Sequence, residues 1–403
     1  MMKKTFIIFA LSVLLISCSP ASSSESSSEI KEENRITIST MPLEKEYLDK
    51  VIDLYNSEVL AEDRIEIVYA ENYDPTSVSH SADLIFTNDL RLKRYSLNEY
   101  ALNLDDTDKV DDNVKSLFVY DDCLLAYPTS FNSGYALYYD STYFDNESEI
   151  TLESILEKCE QNNKKFRFSL FNPWYILSFF LSPDYKGLNS FSYEYDNGVA
   201  IYDIHYDDNE GARMMEYVAS LYSRYKDYFI ISDGSFSQYE RFERGDIIAS
   251  IDGSYTDNFE HGDYVLNNVK STKMPTMSVD GKTYQLGSLG CYYGYFIHKD
   301  SNKVTASKKL LDYLLREDVQ DLMVKEIGTV PVIESALQNI DESINPLYKG
   351  QIAQAPYTSF ESLCIEQRGY EIFGDIATAV LTSSLGECDT WLEFLTNQFD
   401  LIR

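Results

Sequence analysis

Between Arg35 and Asp89 the chain alternates short apolar runs with one long amphipathic stretch, and this order restricts the fold most. Ile36 to Ser39 reads as a strand. From Leu43 to Leu60, apolar side chains recur at Leu48, Val51, Ile52, Leu54, Tyr55 and Val59, the spacing of one helix face. Arg64 to Tyr69 reads as a second strand, and Asp83-Leu84-Ile85-Phe86 as a third that feeds the polar Thr87-Asn88-Asp89. Strand–helix–strand units at this spacing build a parallel sheet covered by helices, so the fold class is α/β. In open α/β sheets, ligands sit beyond the carboxyl ends of the strands. Thr87, Asn88 and Asp89 are therefore candidate binding residues, and their alternative use is as turn formers or a helix N-cap.

Further along, Cys123 to Pro128 reads as a strand stopped by its proline, and Thr129 to Gly134 is small and polar, suited to a crossing between lobes. Strands follow at Tyr135–Tyr139, Ile247–Ile251 and Gly294–Ile297. Helices are predicted from Thr151, as N-cap, to Cys159, and over Val304–Arg316, Asp318–Ile327 and Arg368–Ser383. The body from Arg35 to Arg403 exceeds the roughly 250–300 residues at which a single core stops growing, so two lobes are expected.

The chain begins with Lys3 and Lys4, an apolar run from Thr5 to Ile16, then Ser17 and Cys18. This is the pattern of a secretory signal. The run falls short of the roughly 20 residues that a membrane span needs. A cysteine directly after a small residue resembles the lipobox of bacterial lipoproteins, in which the thiol is diacylated and becomes residue one of the mature chain. An ordinary signal peptide is the alternative. Ser19 to Asn34 is Ser- and Glu-rich with Ile30 as its one large apolar residue, too little to bury. Such a tether reaches roughly 20–25 Å, and two acyl chains hold a protein stably at a bilayer.

The net charge of −32 excludes nucleic acid as a partner, because that binding relies on clustered Lys and Arg. It also argues against the body lying on an anionic membrane. Six cysteines form no Cys-x-x-Cys, and the four histidines sit at no metal-ligand spacing, so no metal or cofactor is expected. With Cys18 lipidated, five remain, Cys123, Cys159, Cys291, Cys364 and Cys388; a Cys364–Cys388 pair stays open. The acidic run Asp203 to Glu210 misses the EF-hand pattern. No nucleophile elbow, phosphate-binding glycine loop, zinc-protease helix or dinucleotide fingerprint is present, so no catalytic residues are assigned. Sixty-six acids make carboxylate pairs unavoidable, so counting alone leaves a glycosidase open.

Phe242-Glu243-Arg244 leading into Gly245-Asp-Ile-Ile-Ala-Ser-Ile-Asp-Gly-Ser-Tyr255 resembles a hallmark of extracellular solute-binding proteins of the maltose-binding type. Other segments match that family in order: Asp83–Asp89, Val119–Tyr139, Leu286–Ile297, and Ala306 to the stop Gly328-Thr-Val-Pro331. The resemblance covers nearly the whole body. It implies a two-lobe, type II periplasmic-binding-protein-like fold with parallel or mixed sheets flanked by helices. A ligand cleft lies between lobes that close on the solute, and the closed form is recognised by the transmembrane subunits of an ABC permease. Residues 35–130 with 291–332 would form the first lobe, and 131–290 with 333–403 the second. Residues 1–17 would be the signal and 18–34 the anchored linker. The protein would sit on the outer face of the bacterial cytoplasmic membrane.

The same resemblance implies cleft roles for Thr87, Asn88 and Asp89 on the first lobe, Asn132 at the first crossing and Tyr292 at the second. It implies an aromatic platform at Trp174, a polar residue and stacking aromatic at Asp252 and Tyr255, and another platform at Phe373, with Tyr370 an equal alternative. The chain departs from the family at Ser254-Tyr255, where Pro-Trp is common, and has no tryptophan after Phe86. That weakens the case for a long maltodextrin. A sugar presents an apolar C–H face to aromatics and hydroxyls to amides and carboxylates, so a carbohydrate is the expected solute. A surface glycosidase or a receptor without a transport role are the alternatives. Replacing the proposed anchor, Cys18→Ala, is expected to release the protein from membranes while its solute affinity survives, as read by fractionation and titration.

Overall fold

The computed structural model describes residues 30–401, apart from 75, 185–191, 197–198, 204–208, 232–235, 254–260, 339–343 and 361–366. Its elements gather around two large apolar cores, each with its own sheet.

The first sheet runs in the order Val330–Pro331, Tyr127–Asn132, Ser288–Ile297, Leu84–Asn88, Arg35–Ser39, Glu66–Tyr69, with Thr358–Phe360 added beside Ser288–Ile297. Arg35–Ser39 pairs in parallel with both Glu66–Tyr69 and Leu84–Asn88, as strand–helix–strand order requires. The helix Pro42–Glu58 starts with proline at its first turn, where no N–H is missed, and buries Tyr47, Leu48, Val51, Ile52 and Tyr55 along one face. This core draws on residues between Ile36 and Tyr127 and again between Tyr295 and Ala336.

The second sheet runs Phe229–Ile230, Lys165–Arg167, Ile247–Asp252, Ala136–Asp140, Val269–Thr272. Its core spans Tyr135 to Leu289 and returns for the helices Gln367–Thr382 and Trp391–Asp400. The helix Leu152–Asn162 begins as expected at Thr151, whose hydroxyl accepts from the Ser154 N–H at 3.0 Å while Ser154 Oγ accepts from the Thr151 N–H at 2.9 Å.

Several expectations change. Pro128 does not stop its strand but lies inside Tyr127–Asn132. The register against Ser288–Ile297 shifts at that point, between Tyr293 and Gly294, and such an irregularity accommodates a residue that cannot donate to the ladder. Gly294–Ile297 proves to be the end of a ten-residue strand, Ser288–Ile297. The third passage between cores comes later than residue 332. Ile333 and Ala336 still belong to the first core, and Glu334–Gln338 packs on Glu317–Ile327, whereas Lys349–Gln354 packs on Ala136–Asp140 and Val269–Thr272. Cys388 is a free thiol whose sulfur accepts from Asn397 Nδ2 at 3.3 Å; Cys364, its possible partner, lies outside the described residues. Among the described residues no helix is long and apolar enough to cross a membrane, and no group of His, Cys, Asp and Glu could hold a metal ion.

Phe373 is fully buried, its ring 5.5 Å from Phe180 and 6.0 Å from Phe399, in the interior of the second core. It fills volume there and presents no platform. Phe373→Ala is expected to cost about 3–5 kcal/mol of stability in denaturant titration, the range for deleting a buried aromatic side chain.

Candidate functional site

The two cores are joined where Tyr127–Asn132 runs antiparallel to Ser288–Ile297, with Cys291 opposite Asn132. Chain alternation splits the side chains of this ribbon between two faces. Ser130, Asn132, Cys291 and Tyr293 line a cavity of about 380 Å³. Phe131 and Tyr292 point to the other face, their rings 4.7 Å apart, and line a second cavity of about 450 Å³.

The first cavity takes its walls from both cores. The first core contributes Asn88 from a strand end, Arg91 and Tyr95 just after it, Thr329, and Met41, Leu43 and Glu44 at the start of Pro42–Glu58. Trp174 comes from the second core, and Gly134 with Leu289 and Gly290 closes the floor. Gly134 sits at φ +78°, and a Cβ there would lie 1.7 Å from the Leu289 carbonyl oxygen, so the two crossing segments touch backbone to backbone.

Trp174 is fixed from several sides. Its N–H donates to Asn172 Oδ1 at 3.0 Å, its carbonyl accepts from Tyr135 Oη at 2.9 Å, and its ring lies parallel to that of Tyr370 with centroids 6.3 Å apart. The indole N–H is buried without a hydrogen-bond partner among the described residues, and so is the hydroxyl of Thr329. Buried polar groups in this condition are costly and suit a ligand that supplies partners.

Of the residues singled out from sequence, Asn88, Asn132 and Trp174 meet at this cavity. Both asparagines also do local structural work. Asn88 Oδ1 accepts from the Arg91 N–H at 2.8 Å, the N-cap role, and Asn88 Nδ2 donates to Cys291 Sγ at 3.4 Å. Asn132 Oδ1 accepts from the Gly134 N–H at 2.8 Å. Thr87 and Asp89 are buried and are not among the lining residues. Tyr292 faces the second cavity. Asp252 is held inside the second lobe: it forms a buried ion pair with Arg167 and accepts from Tyr175 Oη at 3.1 Å and from the Gly253 N–H at 2.9 Å. It braces the residue next to Trp174 and does not line the cavity. Tyr255 and Cys18 lie outside the described residues.

Residues 74–349 match the profile of the bacterial extracellular solute-binding proteins. The chain belongs to this family. Solved structures share its fold. A maltodextrin-binding protein of L. casei BL23 superposes with a TM-score of 0.68 at 13% identity, covering 91% of this chain and 98% of that one. A maltotriose-binding protein of Thermus thermophilus gives 0.63 at 14% identity, covering 91% and 98%. The maltose-maltodextrin binding protein of Alicyclobacillus acidocaldarius gives 0.64 at 13% identity, covering 91% and 99%. No curated protein sequence matches this solute-binding protein significantly.

Sequence reasoning missed Glu44, Arg91, Tyr293 and Thr329. The rule that flagged Thr87 to Asp89 applies equally to the chain beyond the first strand, and would have reached Glu44. Glu44 is only 3% exposed, and burial pushes its carboxyl up to about 7 although the Tyr295 hydroxyl bonds to it and opposes the rise. Below about pH 7 the folded solute-binding protein therefore keeps a proton that the unfolded chain releases above its ordinary value of 4.5. This group's contribution to stability thus falls as pH rises through that window. Glu44→Gln is expected to gain about 1–3 kcal/mol over the parent at alkaline pH and nothing near pH 4, read from denaturation midpoints across pH.

Proposed function

We propose that this solute-binding protein is the capture component of an ABC importer for a sugar or short oligosaccharide. It is lipid-anchored through Cys18 on the outer face of the cytoplasmic membrane, and it delivers its ligand to the permease. The observation that carries the reading is the cavity between the two cores. It combines the Trp174 ring with the amides of Asn88 and Asn132 and the hydroxyls of Ser130 and Thr329. An aromatic face packs against sugar C–H groups, and amides and hydroxyls exchange hydrogen bonds with sugar hydroxyls. Proteins of the same fold bind maltodextrin and maltotriose, and a receptor of that fold is known in complex with acarbose.

The cavity is of a size for a small solute. Its walls come from bodies joined by narrow crossings, which suits closure by a hinge about the paired strands. A glycosidase would need two carboxyl groups roughly 5–9.5 Å apart across the cleft. Glu44 is the one carboxylic acid among the described lining residues, so this cavity favours binding over hydrolysis.

A thermal-shift screen of mono- to tetrasaccharides tests the reading. A solute at about 100 times its dissociation constant adds about 2.7 kcal/mol, a shift of several degrees. Trp174→Ala is expected to weaken binding at least tenfold while the parent melting temperature without ligand is largely kept. Affinity unchanged by that substitution, or the absence of any shift across the screen, would refute the assignment.

A further inference from the structure

We propose that the captured sugar carries a protonated amino group, and that Glu44 is the side chain that selects it. This rests on the reading of the cavity as a solute site.

Glu44 stands on the wall of that cavity, in the first turn of Pro42–Glu58, almost wholly withdrawn from water. It forms no ion pair among the described residues, and its side-chain partner is the hydroxyl of Tyr295. The groups around it are phenols: Tyr47 on its own helix, Tyr69 on the second strand, Tyr73 in the following loop and Tyr295 on the long strand. Burial raises all four above the ordinary tyrosine value, so none supplies charge. The nearby Lys45 lies over the Tyr69 ring, 5.1 Å from its centroid, and Asp49 accepts from Tyr69 Oη at 2.8 Å.

Arg91 is the guanidinium on the same cavity wall. Its Nη1 donates to Tyr73 Oη at 3.3 Å, and no ion pair joins it to Glu44. Glu44 therefore lines the cavity with no cationic side chain paired to it among the described residues. A buried carboxylate without a counter-charge is costly, and a charge-assisted hydrogen bond from an ammonium group relieves that cost. The rest of the wall fits the same ligand. Phe86, Tyr95, Tyr293 and Trp174 are among the residues that line the cavity, and aromatic ring faces attract cations. The net charge of −32 draws cationic solutes toward the protein and disfavours anionic ones. Pairing requires Glu44 to lose its proton, so capture of an amine is coupled to proton release, and capture of a neutral sugar is not.

The test is calorimetric titration of the full chain with free-amine chitobiose and chitotriose, alongside cellobiose, maltose and maltotriose. At about pH 7 the amines are expected to bind at least tenfold more tightly than the best neutral sugar. At about pH 5.5 that preference should fall about tenfold, because Glu44 is then largely protonated before binding. Glu44→Gln should remove the preference and its pH dependence; Glu44→Asp, which keeps the charge, should retain part of it. Trp174→Ala should instead weaken every ligand. Neutral sugars binding as tightly as the amines would overturn the amine selection and leave sugar capture standing. A preference insensitive to both pH and Glu44→Gln would overturn the role of Glu44. Failure of all five sugars to bind would overturn both this inference and the sugar reading.

Discussion

The antiparallel pairing of Tyr127–Asn132 with Ser288–Ile297 is the constraint on which the rest of the molecule depends. Each strand lies in the first sheet yet ends at the second core, so these two passages between the bodies are adjacent, hydrogen-bonded chains. Alternation along the pair then decides what the junction can do. One face is polar and small, with Ser130 and Asn132, and it bounds the first cavity. The other carries Phe131 and Tyr292, which bring apolar bulk to the rear of the junction. The close approach of Gly134 to the Leu289 carbonyl sets the distance between the crossings, because any side chain at that position would force them apart.

The cavity is supported from behind by groups that never reach it. Asp252 ties together the strand Ile247–Asp252, Arg167 on a neighbouring strand and Tyr175 on the short helix that bears Trp174. A buried ion pair of this kind gains little over an apolar replacement but is costly to break on one side. Its use here is orientation. The hydroxyl of Tyr135 and the side chain of Asn172 hold the Trp174 backbone at either end, and Tyr370 backs the ring, so the indole keeps little freedom.

Much of this was legible in the sequence where local periodicity and tertiary role agree. The helix over Leu43–Leu60 and the strands flanking it were readable because their apolar spacing is also their burial pattern. The cap at Thr151 was readable because capping is a local hydrogen bond. Legibility failed where a residue's role is set by a distant partner. Pro128 looked like a stop, but the register shift opposite it lies over a hundred residues away in sequence. Phe373 looked like a platform on a resemblance, yet the ring is enclosed by Phe180 and Phe399. The strand Lys165–Arg167 is too short to carry a period and exists because its neighbours complete its ladder.

Glu44 shows the same limit for the site itself. In the sequence it is one acid of sixty-six, on a helix whose first turn is an ordinary place for an acid. Nothing local separates it from Glu46 or Asp49, which the fold leaves in or near solvent. What singles it out is the parallel pairing that places the first strand beside the third, because this brings the end of one and the end of the other to the same rim. Residues at or just beyond the ends of both strands then share one cavity, Glu44 from the first and Asn88 and Arg91 from the third. The chemistry of the site is therefore a property of strand order. A chain with the same acids and a different pairing would leave Glu44 hydrated, ionised and without consequence.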